Sequence, residues 1–575
     1  MFDIKTKRYL IILFASFLFF LTVLLIAMKW NTILYYSKMA KDEIVYNENE
    51  KVLGVYSRKT AASFDTIQNF SHVVIRINTD KTFQIDNTII KKISEAENVL
   101  LTIEFMGNKF LNNINNNPLE QIINGLYDKK IERIERTLFG MNKKFYVRIN
   151  PEMEVPVYKF PWQFKSGEQY IEAYRYVIAK LKINNPNLKF VWGPSGFMGT
   201  DEYYPGKDVV DIISITIKSE TESLFTRYPT YSDLKDEIHR KFHRLRFFNH
   251  PVIILNTTNT IHKSEVFNYV NAEIDSIAKY QNVAYNENLW ARLDKTSKVS
   301  KFIIGLHDPN QTLINDPAIS AEHIFVDFGQ VQSGELNRLL QKVFSRNHDA
   351  ILTVEPWRDI SGITDSTILQ NILYGKYDSI IQKVYADISQ TTRTVYLRFA
   401  HEMEIPITRY AWQSQDPLTY IRAFRYFMTF KQPFPQNVKR IWGPAGDRAS
   451  MDFYPGNDVV DYVSFAVYGL PDKNISDHEK QNSFSKIFNY KIWQFRQIDK
   501  PIFITEFGVK GPEDYQTLWL EDAANTLNEN PIVIGVNYFN MSDTPGAWGE
   551  IKEPDWSITS SSLHRFMEIL ERDNQ

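Results

Sequence analysis

Apolar positions along the chain fall into three kinds of run. The first is Tyr9–Met28, apolar apart from Ser16, Thr22 and the Tyr9 hydroxyl. At about 1.5 Å per residue such a helix reaches across the roughly 30 Å hydrocarbon layer of a bilayer. Lys5, Lys7 and Arg8 precede it, Lys29, Lys38 and Lys41 follow, and it ends Ile26-Ala27-Met28-Lys29-Trp30 without a small-x-small cleavage site. This pattern predicts residues 1–30 as a cytoplasmic stub and an uncleaved transmembrane anchor through residues 9–28. Residues 31–45 then form a polar stalk, and the rest lies outside the cytoplasm on a single-pass cell-membrane protein.

The second kind of run is short and rich in β-formers. Eight occur in the second half, starting at Phe302 (FIIGLHD), His323 (HIFVDFG), Ala350 (AILTVEPW), Thr394 (TVYLRFAHE), Val438 (VKRIWGP), Val459 (VVDYVSFAVYG), Pro501 (PIFITEFG) and Ile532 (IVIGVNYFN). Most are continuously apolar, as strands buried on both faces are. Between them lie runs of the third kind, of helical length, such as Leu418–Phe430. Alternating β and α runs predict a parallel sheet.

The chain also repeats itself. PEMEVPVYKFPWQ (Pro151–Gln163) reads against HEMEIPITRYAWQ (His401–Gln413), VWGPSG (Val191–Gly196) against IWGPAG (Ile441–Gly446), and YPGKDVVD (Tyr204–Asp211) against YPGNDVVD (Tyr454–Asp461), each at an offset of 250 residues. That period is far longer than a solenoid unit and matches a whole (β/α)₈ barrel. The expected fold is α/β: two tandem (β/α)₈ TIM barrels, residues 46–297 and 298–575, behind the transmembrane helix. The first copy shows most of the same runs, with its last one, near Asn282, poorly formed.

Composition narrows the chemistry. A chain of 575 residues with no cysteine has no disulfide, zinc–thiolate site, iron–sulfur cluster or thiol nucleophile. A net charge of −2 gives no general attraction to polyanions, so nucleic acid is a poor partner. The GxGxxG, GxxxxGK[ST] and HExxH patterns are absent. Aromatics reach 14%, which suits gripping flat ligands such as sugars as well as filling cores.

Barrel active sites lie at the C-terminal strand ends. In the second copy those ends carry Glu355, then His401 and Glu402, then Tyr468, then Glu506. Two carboxylates facing each other across a barrel mouth are what a retaining glycosidase needs, one as acid/base and one as nucleophile. A strand-end Glu also caps loops or pairs with a cation such as Arg398, so the set weighs more than any member. Trp357, Trp412, Trp442, Trp548 and Trp556 are candidate sugar platforms or core residues. Asp447 and Arg448 are candidates to bind a sugar or to pair with each other.

These residues resemble glycoside hydrolase family 26. Its Arg-x-x-His-Glu-Met segment is matched by Arg398-Phe-Ala-His401-Glu402-Met403, and its Trp and Tyr-Pro-Gly-x-Asp-x-x-Asp run by Trp442 and Tyr454–Asp461. Its Pro-x-x-x-x-Glu-Phe-Gly segment is matched by Pro501–Gly508, and its closing segment by Tyr538-Phe-Asn540 with Asp555-Trp-Ser-Ile-Thr-Ser. The resemblance covers residues 298–575. It implies retaining hydrolysis of mannan, mixed-linkage glucan, β-1,3-xylan or a related β-linked polysaccharide, without metal or organic cofactor. It makes Glu402 the acid/base and Glu506 the nucleophile. His401, Tyr468, Trp442, Trp412, Arg398, Trp548, Trp556 and Glu355 are the substrate-binding candidates. Glu404 and Ile405 stand where mannanases of the family have Asn-Gly, which bears on substrate preference.

Across the 250-residue offset Glu402 becomes Glu152, His401 becomes Pro151, Tyr468 becomes Lys218 and Glu506 becomes Asn256. An asparagine cannot form a glycosyl ester, so the first copy is expected to be catalytically dead. It is either a glycan-binding module using Trp162, Trp192, Tyr203, Tyr204 and Glu104, or a spacer. The expected whole is a membrane-anchored extracytoplasmic β-glycan endo-hydrolase serving exopolysaccharide production beside a polysaccharide synthase or export complex. The alternatives are a non-catalytic polysaccharide-binding scaffold, and a transglycosylase using the same residues.

Overall fold

A computed structural model describes residues 4–30, 44–45, 51–56, 64–65, 70–79, 85, 87–108, 110–225, 231–257, 262–278, 302–357, 365–405, 409–470, 482–545 and 552–572. Most of the stalk and the expected boundary at 297/298 lie outside them. No helix among the described residues is long and apolar enough to cross a membrane. The N-terminal helix runs Ile4–Met28. The single-pass anchor at residues 9–28 and the cell-membrane localisation are therefore corrected. The synthase or export partner, inferred from the tether alone, loses its basis with them.

The chain divides into two compact units, the first mainly Met1–Gly196, Tyr203–Glu237 and His250–Asn268, the second mainly Tyr269–Gln575. The strands of the first unit are β1 (Ile44–Val45), β2 (Lys51–Tyr56), β3 (Phe64–Asp65), β4 (Phe70–Asn78), β5 (Asn98–Gly107), β6 (Lys144–Ile149), β7 (Lys189–Trp192), β8 (Ile212–Ile217) and β9 (Val252–Asn256). β4 to β9 form a parallel run, continued by β2 and β3 and edged by β1. β2 is antiparallel to β9 and bulged between Val52 and Gly54. It occupies the edge where a further parallel strand would pair. Among the described residues the first unit is therefore a curled sheet and not a closed barrel, which corrects the expectation of two full TIM barrels.

The second unit closes. Its strands are β10 (Ile303–His307), β11 (Ala321–Asp327), β12 (Asp349–Glu355), β13 (Val395–Phe399), β14 (Val438–Trp442), β15 (Tyr462–Val463), β16 (Ala466–Gly469), β17 (Ile502–Val509) and β18 (Val533–Phe539). β15 and β16 are two pieces of one staggered strand; Val463 pairs with Ile502 and Ala466 with Glu506, both parallel, while β10 pairs with β18. The ring is thus an eight-stranded parallel barrel, built by the eight runs read from the sequence.

Its interior is layered. At one level Ala321, Ile351, Tyr396, Ile441, Phe503 and Ile534 pack together with Ile303 and Tyr462, so every strand of the ring contributes. Two residues further along their strands come His323, Thr353, Arg398 and Thr505, all buried and polar. Because inward positions recur every second residue, the next level on β12 is Glu355. An apolar floor, a polar layer and an acidic mouth follow from strand alternation.

Candidate active site at the mouth of the second unit

The polar layer explains how a buried arginine is held. His323 Nε2 and the Thr353 hydroxyl lie 2.8 Å apart, and Arg398 Nε donates to Thr353 at 2.7 Å. A Cβ on Gly443 would meet Arg398 Cδ at 2.5 Å, so only glycine lets the side chain pass. Its far end, Nη2, donates to Glu506 Oε1. The other Glu506 oxygen accepts from the Tyr468 hydroxyl at 3.0 Å. Both oxygens of a carboxylate with 8% exposure are thus fixed by charge-assisted bonds.

Glu506 reaches that position through a backbone irregularity. The register of β17 against β18 shifts between Ile504 and Phe507. Thr505 already points inward, where Asn537 Nδ2 donates to its carbonyl at 3.0 Å and Ser464 lies 2.6 Å from its hydroxyl. Simple alternation would turn Glu506 outward; the bulge re-aims it into the mouth.

Glu402 stands where β13 ends. Ala400 and Glu402 have φ of 46° and 53°, a left-handed kink that non-glycine residues rarely adopt. Four bonds hold it. Glu402 N donates to the Gly443 carbonyl at 2.9 Å and Ala400 N to that of Val354 at 3.1 Å. Trp412 Nε1 donates to the His401 carbonyl at 2.7 Å, and Gln413 Nε2 to that of Glu402 at 3.2 Å. The spacing between HE and WQ in the sequence is therefore a backbone clamp. Burial first, and then the charge of Glu506, push the Glu402 carboxyl up to about 8, against the pull of Arg398.

Glu355 is pushed up to about 7, chiefly by burial. Trp357 Nε1 donates to it at 3.2 Å. His401 Nε2 lies 3.9 Å from Glu355. Burial and then Arg398 and Arg409 hold His401 well below its ordinary value, so this approach joins a neutral imidazole to a carboxyl. Tyr410 is partly exposed, lies 5.5 Å from the His401 ring, and stacks on Trp412 at 4.6 Å and 6°.

Glu355, Arg398, His401, Glu402, Tyr468 and Glu506 are thus brought together. The tryptophans divide differently from the sequence expectation. Trp412, Trp442 and Trp556 have 0% exposure. Trp412 is the clamp and the bed for Tyr410; Trp442 packs on Tyr454 and Phe495 at 5.0 and 5.7 Å. Trp556 backs the Tyr468 ring at 4.7 Å. Buried indoles offer no face to a sugar, so their part is to place residues that do. Trp357 is partly exposed at the mouth; Trp548 lies outside the described residues. Asp447 is exposed and Arg448 partly buried.

Sequence reasoning missed Glu404 as an organiser. Its Oε1 accepts from Gly446 N at 3.0 Å, Asp447 N at 3.2 Å and Ser450 Oγ at 2.8 Å, tying down the loop after β14. The signal was Glu154, the same residue one repeat earlier, whose Oε1 accepts from Gly196 N at 2.8 Å. No group of three or more metal-ligating side chains occurs among the described residues.

No known family model matches the chain. It is similar to a β-1,3-xylanase of Alcaligenes sp., 26% identical over 164 residues, covering 27% of this chain and 31% of that protein. A β-1,3-xylanase of Vibrio sp. is 25% identical over 164 residues, with 27% and 32% covered. The chain thus spans about a third of the length of these relatives. Among solved structures it is similar to an endo-β-1,4-mannanase of Cellulomonas fimi, with TM-score 0.35, 13% identity, and 45% and 70% of the two chains covered. An endo-β-1,4-mannanase of Thermotoga petrophila gives 0.33, 11%, 48% and 77%.

Proposed function

We propose that the second unit is a retaining glycoside hydrolase acting on a β-linked polysaccharide. One observation carries this reading: Glu506 is clamped by Arg398 and Tyr468 on one side of the mouth, while Glu402, across from it, is held protonated near neutrality by burial and by the charge of Glu506. A carboxyl held protonated near a carboxylate fixed by an arginine and a tyrosine is the arrangement that an acid and a nucleophile need.

In this mechanism the Glu506 carboxylate attacks the anomeric carbon while Glu402 gives its proton to the departing glycosidic oxygen. A covalent glycosyl–enzyme ester results. Glu402, now a carboxylate, takes a proton from water, which attacks the anomeric carbon and releases the sugar and Glu506. Arg398 and Tyr468 fix the attacking oxygens, and their bonds are remade when the leaving carboxylate regains its charge. Glu355 and His401 line the same mouth, positioned to bind sugar hydroxyls. The partial similarity to xylanases of the β-1,3 class and the resemblance to family 26 support a β-glycan substrate.

The test is sugar release by the full chain from mannan, mixed-linkage glucan, β-1,3-xylan and cellulose, with Glu506→Gln as control. Release that vanishes in the variant is expected. Silence of the native chain on every polymer overturns the reading and leaves a polysaccharide-binding scaffold.

A further inference from the structure

The first unit has lost the nucleophile position to Asn256, yet its strand ends are not featureless. Of the aromatics that the sequence nominated there, Trp162 and Trp192 have 0% exposure and Tyr203 and Tyr204 at most 2%, so none can meet a ligand. A ring that does emerge beside Trp162 is Phe160, partly exposed. It lies flat on Trp162, with centroids 4.7 Å apart and an interplanar angle of 4°. Tyr410 on Trp412 has the same geometry in the second unit, at the edge of the proposed catalytic mouth.

Polar groups surround the ring. The Arg76 guanidinium carbon lies 5.9 Å and Lys159 Nζ 5.6 Å from the Phe160 centroid. Each cation is matched by a carboxylate: Arg76 Nε donates to Glu104 at 2.6 Å, and Lys159 pairs with Glu220 at 3.3 Å. The support is braced as well. Asn113 Nδ2 donates to the carbonyls of Tyr158 and Lys159 at 3.0 and 2.8 Å, tying the loop after β5 to the segment that carries the ring. Glu152, the counterpart of Glu402, accepts from the Ser219 hydroxyl at 2.9 Å.

We propose that the first unit is a non-hydrolytic binding site for a neutral β-linked glycan, with Phe160 as the stacking platform and the Arg76–Glu104 and Lys159–Glu220 pairs as hydroxyl partners. A pyranose presents an apolar C–H face ringed by equatorial hydroxyls. A partly exposed flat ring with two carboxylate-paired cations 5.9 and 5.6 Å from its centre is its complement. Matching each cation with a carboxylate removes the local excess of charge that a polyanion would need. With Asn256 and Lys218 where Glu506 and Tyr468 stand in the second unit, a glycan held here meets no nucleophile and is retained intact. The choice of a β-linked glycan rests on the function proposed for the second unit.

The experiment is affinity electrophoresis of the full chain through gels containing mixed-linkage glucan, mannan or β-1,3-xylan, all in the Glu506→Gln background so that no polymer is cut. Phe160→Ala is expected to weaken retention about tenfold, the loss of one stacking ring. Lys159→Gln is expected to weaken it by a smaller factor, with the melting temperature unchanged. Tyr410→Ala separates retention by the second unit. Retention on none of the gels, or retention indifferent to both Phe160→Ala and Lys159→Gln, overturns the proposal. Retention dependent on Phe160 supports it even if the native chain releases no sugar, whereas sugar release with Phe160-indifferent retention refutes it and leaves the hydrolase reading standing.

Discussion

Arg148 and Arg398 begin alike and end differently. In both units the Nε donates to a threonine on the preceding strand, Thr102 at 2.9 Å and Thr353 at 2.7 Å. Both threonines lie within 2.9 Å of a histidine, His72 or His323. In both, a Cβ on the facing glycine would collide with the arginine, at 2.6 Å for Gly193 and 2.5 Å for Gly443. The left-handed kink is duplicated too, with φ of 40° and 55° at Asn150 and Glu152. So is the clamp: Trp162 and Gln163 hold the carbonyls of Pro151 and Glu152 at 2.8 and 3.1 Å. The last contact differs: Arg398 ends on Glu506, whereas the first unit has Asn256 in that place and Arg148 Nη2 lies 3.4 Å from His72 Nε2. The kink, the clamp and the buried His–Thr–Arg chain are therefore scaffold common to both units, and in the proposed function the reaction belongs to a thin cap of residues above them.

That division predicts which changes hurt what. The largest effect is expected from Glu506→Gln, which makes the second unit resemble the first: sugar release falls roughly 10⁶-fold, as when a nucleophile is removed from a working set. The reverse change, Asn256→Glu, restores nothing, since Pro151 and Lys218 still stand where the acid's neighbour and the tyrosine belong. Sugar release by the Asn256→Glu, Glu506→Gln double variant would show that the cap is less than the full set.

Next come the arginines. Arg398→Met strands the buried Glu506 carboxylate and is expected to cost about 3–5 kcal/mol. Arg148→Met removes hydrogen bonds from a layer without that carboxylate and is expected to cost about 1–3 kcal/mol. Denaturant unfolding of both variants compares them, and equal losses would put the whole contribution of Arg398 in the scaffold.

Tyr468→Phe deletes one hydrogen bond to a charged acceptor and leaves the packing on Trp556 intact. The expected loss is about 1.5–3 kcal/mol of transition-state stabilisation, roughly ten- to a hundredfold in kcat/KM. The proton on Glu402 sets the alkaline limb: with its carboxyl raised to about 8, activity falls as pH rises through that value. A limb near 5 would remove Glu402 as the acid.

Much of this was legible in the chain. The eight apolar runs became the eight strands of the second unit, and the 250-residue offset exposed the Asn256 substitution, because burial on both strand faces and a missing carboxylate are both written directly in residue types. Four things were not. Glu506 turns inward through a bulge that alternation does not encode. Trp412, Trp442 and Trp556 look like platforms in one dimension, and only their neighbours reveal that they are covered. Among the described residues the first unit does not close, and β2 pairs antiparallel at its edge, a long-range choice with no local mark. Phe160 was hidden for the opposite reason: sequence attention goes to tryptophan, and here the tryptophan is the bed.

The smallest effect is expected at Glu404, and it tests whether the loop is held by hydrogen bonds or by charge. Burial, then the charge of Asp447, raise its carboxyl to about 7 against an ordinary 4.5. The native state thus keeps a proton that the unfolded chain gives up. Its contribution to stability is full below about 4.5 and is lost as pH rises through 7. Glutamine can still accept from Gly446, Asp447 and Ser450 on one oxygen, and its amide puts a donor near Oε2, where protonated Glu404 has its hydroxyl. Glu404→Gln is therefore expected to melt with the native chain at pH 5 and above it at pH 8. A variant that melts lower by the same margin at both pH values would show that the loop after β14 needs the carboxylate itself, and that Glu154 and Glu404 are duplicated for their charge.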